Sequence, residues 1–399
     1  MAGRRRARRD LTPGELAARG PIDLPYLMLL LLLLGMGVLM VMSASYAAGG
    51  DTPLSMALDQ AKYAVGGLVI MYAISRYDYQ KLRFWSIVLL AVSLVLLLLV
   101  LTPLGVERNG AQRWLRMLLV AGPTYQPSEI AKVAIILFFA TSLSTRESRK
   151  PRRFSKRTRW GRVGNLAERW GLVELGYYVA ILGVFALLML FEPHMSGTVL
   201  LFVGAAAVMF VSGISMKLLL SLAGIGVGGL LLIILSQPYM RARLLGVFDT
   251  DIQNMGYQIK QSLLGIGSGG LLGLGLGNSR QKYQFLPEAE NDFIFSIVVE
   301  ELGFVGGMLI LILFMLFILR GYWIALHARD RFGAMVAVGI TTLFAVQVFL
   351  NVGVVTALLP NTGISLPFFS YGGTALIMQL AQAGIMLSIS RQIPTPKQD

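Results

Sequence analysis

The acidic residues between positions 286 and 301 are the part of this sequence best suited to chemistry. Asp292 stands directly before the apolar run FIF, where we expect a membrane helix to begin, and Glu300 and Glu301 follow about two turns into that helix. Asp292, Ser296 and Glu300 recur every four residues, so they share one helix face. An ionisable side chain at this depth is a candidate functional group because its burial in hydrocarbon is costly.

Two roles are open for Asp292. It is the shallowest acid of the helix, beside outside water, which suits a group that exchanges protons with a substrate; alternatively, it only caps the first helical turn. Glu300 and Glu301 lie deeper and must face a polar cavity or meet cations, because an unpaired charge is expensive there. The available cations are Lys282, Arg280 and Lys132.

A second group of polar residues surrounds the start of the fourth apolar span. Arg113 and Trp114 precede that span, and Glu129 and Lys132 lie at i and i+3 on its first turns. A tryptophan at this level can simply anchor among lipid headgroups. The pair Glu129 and Lys132 can be a buried ion pair that holds the bundle; alternatively, Lys132 and Arg113 stack positive charge into an anion or sugar site.

The turn FEPHMSGT, after the fifth span, adds Glu192 and His194. Proline and glycine are what a short turn between two spans requires, so the turn alone can explain the composition. Glu192 contributes another carboxylate at the membrane edge. A single histidine such as His194 is more often a satisfied turn residue than a ligand.

Two glycine-containing stretches complete the polar inventory. The run 265–277 contains a formal G-x-G-x-x-G, but that motif binds dinucleotides only after a strand in a βαβ unit, which this context does not offer. Its glycines permit close helix packing, or they bring bare amides to a diphosphate. The run 351–373 is broken by prolines and glycines, and broken membrane helices line cavities or pack against protein. It predicts a second wall for an outward cavity.

Composition places these stretches in a membrane protein. The chain has 399 residues, 55% of them hydrophobic and 14% charged, with a mean hydropathy of +0.68. Soluble domains carry about 25% charged residues. The absence of cysteine excludes disulfides and thiolate chemistry, and two histidines argue against a histidine metal centre. The net charge of +14 lies in blocks between apolar spans, a pattern that sets membrane orientation rather than nucleic-acid binding.

The spans predict an all-α polytopic membrane protein with about ten transmembrane helices, each long enough for a bilayer. They are 24–42, 58–76, 82–102, 128–145, 174–192, 197–214, 217–236, 293–320, 332–353 and 366–390. A cationic start before an apolar run can also be a signal peptide, but we expect 24–42 to be a retained helix. The run 197–236 is close to continuous.

Basic residues alternate with the spans and predict the orientation. The arm 1–20, the loop 146–173 and the tail 392–399 fall on one side, which the positive-inside rule makes cytoplasmic, around a membrane domain at 21–391. The dense cluster in 146–173 fixes topology and attracts anionic lipid at about 1 kcal/mol per basic residue. Loops 103–127 and 237–292 are predicted to be extracytoplasmic, and the second is the large loop between helices 7 and 8.

Six stretches of the chain together resemble the SEDS family of shape, elongation, division and sporulation proteins, which includes FtsW, RodA and SpoVE. They follow one another from about residue 109 to residue 373: NGAQRWL, QPSEIAK, EPHMSGT, QSLLGIGSGGLLGLGLGNSRQK, FLPEAENDFIFSIVVEELGFVG and LLPNTGISLPFFSYGG. The resemblance covers essentially the whole membrane core. GLGNSRQK followed by FLPE is more similar to the FtsW/SpoVE branch than to RodA.

The resemblance implies an activity and partners. It implies a peptidoglycan glycosyltransferase that polymerises lipid II at the outer face of the bacterial cytoplasmic membrane, in division, elongation or sporulation, with both termini cytoplasmic. The implied partners are lipid II, a class B penicillin-binding protein that cross-links the product, and other divisome or elongasome membrane proteins. No nucleic-acid partner is expected.

The resemblance also assigns residues. The essential aspartate of the family's PE-x-x-x-D-F-I-F pattern falls on Asp292, the outer-loop tryptophan falls on Trp114, and the charged pair of QPSE-x-x-K falls on Glu129 and Lys132. There are two departures. The family often has P-D-L-G-T where this chain has PHMSGT, so no aspartate role carries over there. Asparagine at position 291 stands where threonine is common.

The expected chemistry needs a base and positive charge. Asp292 would take the proton from the 4-hydroxyl of the acceptor N-acetylglucosamine, and that hydroxyl would displace the diphosphate of an α-linked donor, giving a β-1,4 product. Lys132, Arg113 and Lys282 are candidates to neutralise the diphosphate, and a divalent cation such as Mg²⁺ is a possible substitute. A lipid-linked precursor flippase is the alternative function, followed by a scaffold. The candidate substrate-binding residues are Arg113, Trp114, Glu129, Lys132, Glu192, Gln258, Gln261, Lys282, Glu288, Glu300, Ser370 and Tyr371.

Overall fold

The computed structural model describes most of the chain and confirms an all-α polytopic membrane protein. The described residues are 20–46, 55–108, 111–116, 124–145, 172–192, 194–214, 216–236, 256–283 and 285–393. The predicted arm 1–20, most of the basic loop 146–173, the segment 237–255 and most of the tail 392–399 therefore lie outside the described residues. The domain boundaries predicted from the sequence stay predictions.

All helices but α8 fall where the apolar runs predict them. They are α1 (Leu24–Ser45), α2 (Ser55–Arg76), α3 (Leu82–Val100), α4 (Pro127–Ser144), α5 (Leu172–Phe191), α6 (Met195–Val211), α7 (Met216–Ser236), α8 (Tyr257–Gly269), α9 (Ile294–Leu326), α10 (Arg331–Val355) and α11 (Gly373–Ser390). Within the described ranges, each of the ten predicted spans overlaps a helix. Among the residues that the structure describes, six apolar segments are long enough to cross a bilayer, and two shorter apolar helices accompany them.

The core is built around α4, α9, α10 and α11. Helix α11 packs along α2, α10 packs against α9 and α6, and α4 lies between α3 and α6. Helix α4 is buried on nearly all sides, from Pro127 to Leu143, whereas α3 turns Phe84, Trp85 and Ile87 outward. A helix that is buried on nearly all sides belongs to the interior of a bundle. The polar side chains of α4 therefore face the inside of the protein.

A small antiparallel sheet lies between α3 and α4, where the sequence predicted only a loop. Strands β1 (Gly105–Arg108), β2 (Ala111–Arg116) and β3 (Thr124–Tyr125) are ordered β1-β2-β3, and Val106 pairs with Trp114. The strands are short and interrupted by polar residues, so the apolar pattern does not reveal them. The sheet fixes the side chains of β2 at the end of the bundle.

Two predicted helices are interrupted. Residues before Gly373 are a packed loop rather than the start of α11, and Phe368 in that loop has a φ of 64°. Helix α9 is broken at Gly303, with φ 74° and ψ −176°. There the chain pairs with the glycine-rich loop: the amides of Leu274 and Gly275 donate to the carbonyls of Glu300 and Glu301 at 3.0 Å.

The glycine-rich stretch is thereby explained by packing. A Cβ at Gly273 would lie 2.2 Å from the carbonyl oxygen of Glu301, so only glycine permits the crossing. Its amides are used within the fold, which favours close packing over the alternative of a diphosphate loop. Helix α8 and this loop form an extra element between the seventh and eighth predicted spans, which the sequence treated as one large loop.

Candidate active site

A cavity of about 800 Å³ opens at the end of the bundle that carries the sheet. Its wall includes the N-terminal residues of α4, α6 and α11 and the residues directly before α9. Helix N-termini present unpaired amides and a partial positive charge, so several of them around one space favour an anionic group there. The lining residues used below are Asp59, Tyr63, Arg113, Trp114, Gln126, Glu129, Lys132, His194, Ser196, Glu288, Asp292, Gln347, Gly363 and Tyr371.

Asp292 lines this cavity and is not a helix cap. The N-cap of α9 is Phe293, and no side-chain hydrogen bond caps that helix. The pKa of Asp292 is raised to about 6, chiefly by burial and also by the charge of Glu288, while Arg113 opposes the shift. A carboxylate with such a pKa can accept a proton near neutral pH and later release it.

The loop that carries Asp292 is held by its backbone. The Oγ of Ser370 donates to the carbonyl of Asn291 at 2.6 Å, and the amide of Tyr371 donates to the carbonyl of Glu290 at 2.8 Å. The Oγ of Ser370 also accepts from the amide of Leu366 at 2.7 Å. Ser370, a candidate substrate residue, is therefore occupied in bracing the loop and does not line the cavity, whereas Tyr371 does.

Glu288 lies in the same wall as Asp292. It adopts a left-handed backbone with a φ of 57°, uncommon for a side chain larger than glycine. The Nδ2 of Asn291 donates to the Oε2 of Glu288, so this asparagine has a definite partner. Glu288 thus places a second negative charge beside the Asp292 carboxyl.

The second predicted wall faces the first. Gly363 has a φ of 66°, and a Cβ there would lie 3.2 Å from the Oδ2 of Asp292. The loop 361–371 therefore approaches the carboxyl at backbone distance. This confirms that the broken segment before α11 packs around a cavity.

Glu129 and Lys132 form a buried ion pair and also line the cavity. The Nζ of Lys132 lies 2.8 Å from the Oε1 of Glu129, and both side chains are almost fully buried. The Oε2 of Glu129 has no hydrogen-bond partner. The pair is the one that the i, i+3 spacing predicted, and its position on the wall leaves the anion-site interpretation in place.

Arg113 and Trp114 are brought to the cavity by β2. The Nε of Arg113 donates to the backbone carbonyl of Glu192 at 3.2 Å. Trp114 lines the cavity, so its place is more specific than a headgroup anchor. The sheet, which the sequence did not predict, is what turns these two residues towards Asp292.

Glu192 and His194 flank the cavity differently. Glu192 is fully buried, lies outside the lining, and neither carboxyl oxygen has a hydrogen-bond partner. Burial raises its pKa to about 8, with Arg113 opposing the shift. His194 lines the cavity, with its Nε2 3.3 Å from the Nε2 of Gln126. The pKa of His194 is lowered to about 3, chiefly by burial and also by the charges of Arg113 and Lys132.

Lys282 and Glu300 do not reach the cavity, contrary to the expectation of substrate contact. They belong to a buried group, here called the Lys282 cluster: Ser43, Ser268, Ser279, Lys282, Glu300 and Glu301. The Nζ of Lys282 lies 3.1 Å from the Oε1 of Glu301, and neither side chain is exposed. Because this ammonium is fully buried outside the cavity lining, it does not meet a diphosphate bound there. The sequence did anticipate Lys282 as a cation for these acids.

Gln258 and Gln261 lie on α8, also away from the cavity lining. The Oε1 of Gln258 accepts a hydrogen bond from the Nδ2 of Asn361 at 2.7 Å, which ties α8 to the 361–371 loop. Gln258 and Gln261 were predicted to bind substrate, but they lie behind the cavity wall. The sequence does not distinguish residues of the wall from residues that pack behind it.

Several lining residues were not predicted to bind substrate. Asp59 and Tyr63 come from α2, Gln126 precedes α4, Ser196 opens α6 and Gln347 comes from α10. His194 was expected to be a satisfied turn residue, yet its Nδ1 has no hydrogen-bond partner. The sequence held one indication that His194 could have a role in the site: it stands where the resemblance led us to expect an aspartate.

The donor set does not fit a resident metal ion. Within the described part of the chain, no three acidic, histidine or cysteine side chains are grouped closely enough to hold one. The expectation of a divalent cation such as Mg²⁺ therefore stays a prediction, without a protein cage assigned to it.

Comparison with known proteins decides the family. The sequence model of the FtsW/RodA/SpoVE family, described as cell cycle proteins, matches residues 24–394. The chain belongs to this family. It is 40% identical to stage V sporulation protein E of Bacillus subtilis, over 92% of this chain and 97% of that protein. It is 37% identical to a probable peptidoglycan glycosyltransferase FtsW of Geobacter metallireducens, over 93% and 95% of the two chains.

Solved structures agree with this assignment to the FtsW/RodA/SpoVE family. A chain from a peptidoglycan synthase complex that coordinates polymerization and crosslinking superposes with a TM-score of 0.71 at 27% identity, covering 95% of this chain and 99% of that one. Rod shape determining protein RodA of Thermus thermophilus superposes with a TM-score of 0.65 at 26% identity, covering 94% and 98%.

Proposed function

We propose that this FtsW/RodA/SpoVE family member is a peptidoglycan glycosyltransferase that polymerises lipid II into β-1,4 glycan strands. One observation carries the proposal: the Asp292 carboxyl shares a cavity with Arg113 and Lys132. Burial, which raises the pKa of Asp292, supports it. A base and positive charge around one space are what transfer of a sugar from a lipid diphosphate needs.

In the proposed reaction, the 4-hydroxyl oxygen of the acceptor sugar attacks the anomeric carbon of the donor. A new carbon–oxygen bond forms there as the bond to the diphosphate oxygen breaks, and its electron pair leaves with undecaprenyl diphosphate. Asp292 accepts the hydroxyl proton. Attack opposite the leaving group inverts the α-linked donor to a β product. A positioned base contributes about 10²–10⁴-fold in rate.

Arg113, Lys132 and the surrounding helix N-termini are proposed to stabilise the diphosphate. Lys132 is paired with Glu129 on one side and borders the cavity on the other. Because Glu129 balances the charge of Lys132, this pair adds little net charge to the empty site. An entering anion can then interact with the Lys132 ammonium and with the positive charge of Arg113 and the helix N-termini. Trp114 and Tyr371 are proposed to contact the sugar rings from the same wall.

The cellular setting is part of the proposal. The basic residues between spans favour the cytoplasmic membrane with both termini inside, so the cavity would face outward. A class B penicillin-binding protein is the proposed partner, and lipid II the substrate. The superposition on a synthase complex that couples polymerization to crosslinking supports such a partner.

The test is polymerisation of lipid II by purified protein with its transpeptidase partner in detergent, with and without Mg²⁺. Wild-type protein should form glycan, and Asp292→Asn should lose it while remaining folded. The alternative, a lipid-linked precursor flippase, predicts no glycan and unimpaired transport in Asp292→Asn. A scaffold predicts that substitutions of Asp292, Lys132 and Trp114 are all tolerated.

A further inference from the structure

Asn351 joins the two walls of the cavity. It lies near the end of α10, its side chain is 1% exposed, and it does not line the cavity. Its Nδ2 donates to the backbone carbonyl of Asp292 at 2.7 Å and to the carbonyl of Ile364 at 2.7 Å. One amide group therefore uses both of its protons to connect the loop before α9 with the loop before α11.

The connection fixes the surroundings of the reactive carboxyl. Ile364 follows Gly363, whose backbone approaches the Oδ2 of Asp292 closely enough that a Cβ would lie 3.2 Å away. Moving either carbonyl off Asn351 would therefore change the distance between the carboxyl and the opposite wall. The Oδ1 of Asn351 has no hydrogen-bond partner, so the side chain contributes to this connection only through its two donated protons.

We infer that Asn351 is a positioning residue for glycosyl transfer, which sets the place of Asp292 in the cavity by holding its carbonyl and that of Ile364 together. This inference rests on the proposed function. Asn351 does not contact the substrate; it acts through Asp292. A displacement of about 1 Å at a reacting group can cost about 10²-fold in rate, so its loss should affect turnover more than binding.

Asn351→Asp is the sharpest variant, because aspartate has nearly the same volume but, when ionised, offers no proton to either carbonyl. Asn351→Ser is the second variant: it carries no charge, and its single hydroxyl proton can serve only one carbonyl. The matched control is Thr341→Val, on the same helix and about 15 Å away along its axis. Thr341 is 2% exposed, and its hydroxyl lacks a partner.

The experiment measures kcat and KM for lipid II, together with the unfolding temperature, for wild-type protein and these variants in complex with the transpeptidase partner. We expect Asn351→Asp and Asn351→Ser to lower kcat about 10–100-fold with KM within about twofold. Thr341→Val should match wild type. If Asn351→Asp does not purify folded, Asn351→Ser gives the same separation of kcat from KM.

Unchanged kcat in a folded Asn351 variant would overturn the inference. It would also be overturned if kcat and KM changed together and in proportion to a fall in unfolding temperature, because that result describes a purely structural residue. Glycan formation by wild type and its loss in Asp292→Asn report on the proposed function separately. Either failure at Asn351 would leave those two results standing.

Discussion

The cavity around Asp292 and the Lys282 cluster contain the same kinds of residues, yet the structure treats them in opposite ways. In the Lys282 cluster, Glu300 accepts from the amides of Arg280 and Gln281 and from the hydroxyl of Ser279, and Glu301 accepts from Ser43 and Lys282. Its acids are fully hydrogen-bonded. In and beside the cavity, Glu129 and Glu192 keep carboxyl oxygens without partners.

The difference separates structural charge from reactive charge. A buried carboxylate that accepts several hydrogen bonds is held in place by them, and removing one partner leaves a costly unpaired group. A carboxyl that is desolvated but poorly partnered has a raised pKa and can take up a proton. By this criterion the acids of the Lys282 cluster are structural and hold the chain together at the break in α9, whereas Asp292 can take part in chemistry.

Asp292→Asn should produce the largest effect, a fall of about 10²–10⁴-fold in the rate of glycan formation. Stability should not fall. Because the folded pKa is raised above the unfolded one, the native state binds more protons over the window from about pH 4 to pH 6, and folding stability declines as pH rises through it. Asparagine removes that decline, so thermal unfolding at pH 7 should occur at the same temperature or higher. A marked loss of stability would place Asp292 with the structural acids.

Lys282→Met tests the Lys282 cluster and should lower the stability of the protein. It leaves the buried Glu301 without its ammonium partner, and we expect destabilisation of about 3–5 kcal/mol. Thermal unfolding in detergent measures this. Lys62→Met is the control, because Lys62 pairs with Asp59 at 2.9 Å but is 74% exposed, and it should cost at most about 1 kcal/mol. Equal effects of the two lysines would remove the argument for the Lys282 cluster.

Glu288→Gln should shift the pH dependence of the rate rather than abolish activity. Glu288 raises the pKa of Asp292 through like-charge repulsion, second to burial itself. Removing that charge should move the acid limb of the rate profile to lower pH, while the maximal rate changes less than in Asp292→Asn. Glu107→Gln, an exposed acid of β1, serves as control and should leave the limb in place. A limb that moves upward in Glu288→Gln would reverse the assigned sign.

Glu192→Gln should produce the smallest change in activity and a specific change in stability. The folded pKa of Glu192 is raised to about 8 by burial, against about 4.3 in the unfolded chain. Stability therefore falls as pH rises between these values, and glutamine should flatten that slope. Unfolding temperatures at pH 5, 6.5 and 8 test the effect. A slope equal to that of wild type would show that Glu192 is ionised in the fold.

The sequence was sufficient for the helices because long apolar runs leave the chain few alternatives in a bilayer. It also gave Asp292, Trp114, Glu129 and Lys132 through motifs that stay together in space. It could not show that Lys282 and Glu300 both bind partners within one buried cluster, away from the cavity. The pattern of charges along a sequence does not reveal hydrogen-bond partners. For the same reason the sequence did not point to Asn351, which donates hydrogen bonds to two backbone carbonyls that are distant from each other in sequence.

The sheet and the break in α9 could not be predicted from the sequence for a different reason, whereas the break before α11 was predicted from its prolines and glycines. Strand β2 is six residues long and polar, so no periodicity marks it, although it carries Arg113 and Trp114 to the cavity. Gly303 looked like one small residue inside a membrane helix. Only the crossing with Gly273 shows that both glycines are required, because a Cβ on either would meet backbone atoms.

The pH dependence of glycan formation at lipid II concentrations well below KM tests the central claim most directly, because kcat/KM reports the pKa values of the free enzyme. Asp292 with a pKa of about 6 predicts an acid limb with its midpoint near pH 6, and no such limb in the residual activity of Asp292→Asn. A wild-type rate that stays constant from pH 7 down to pH 5, or a limb that persists unchanged in Asp292→Asn, would contradict Asp292 as the base.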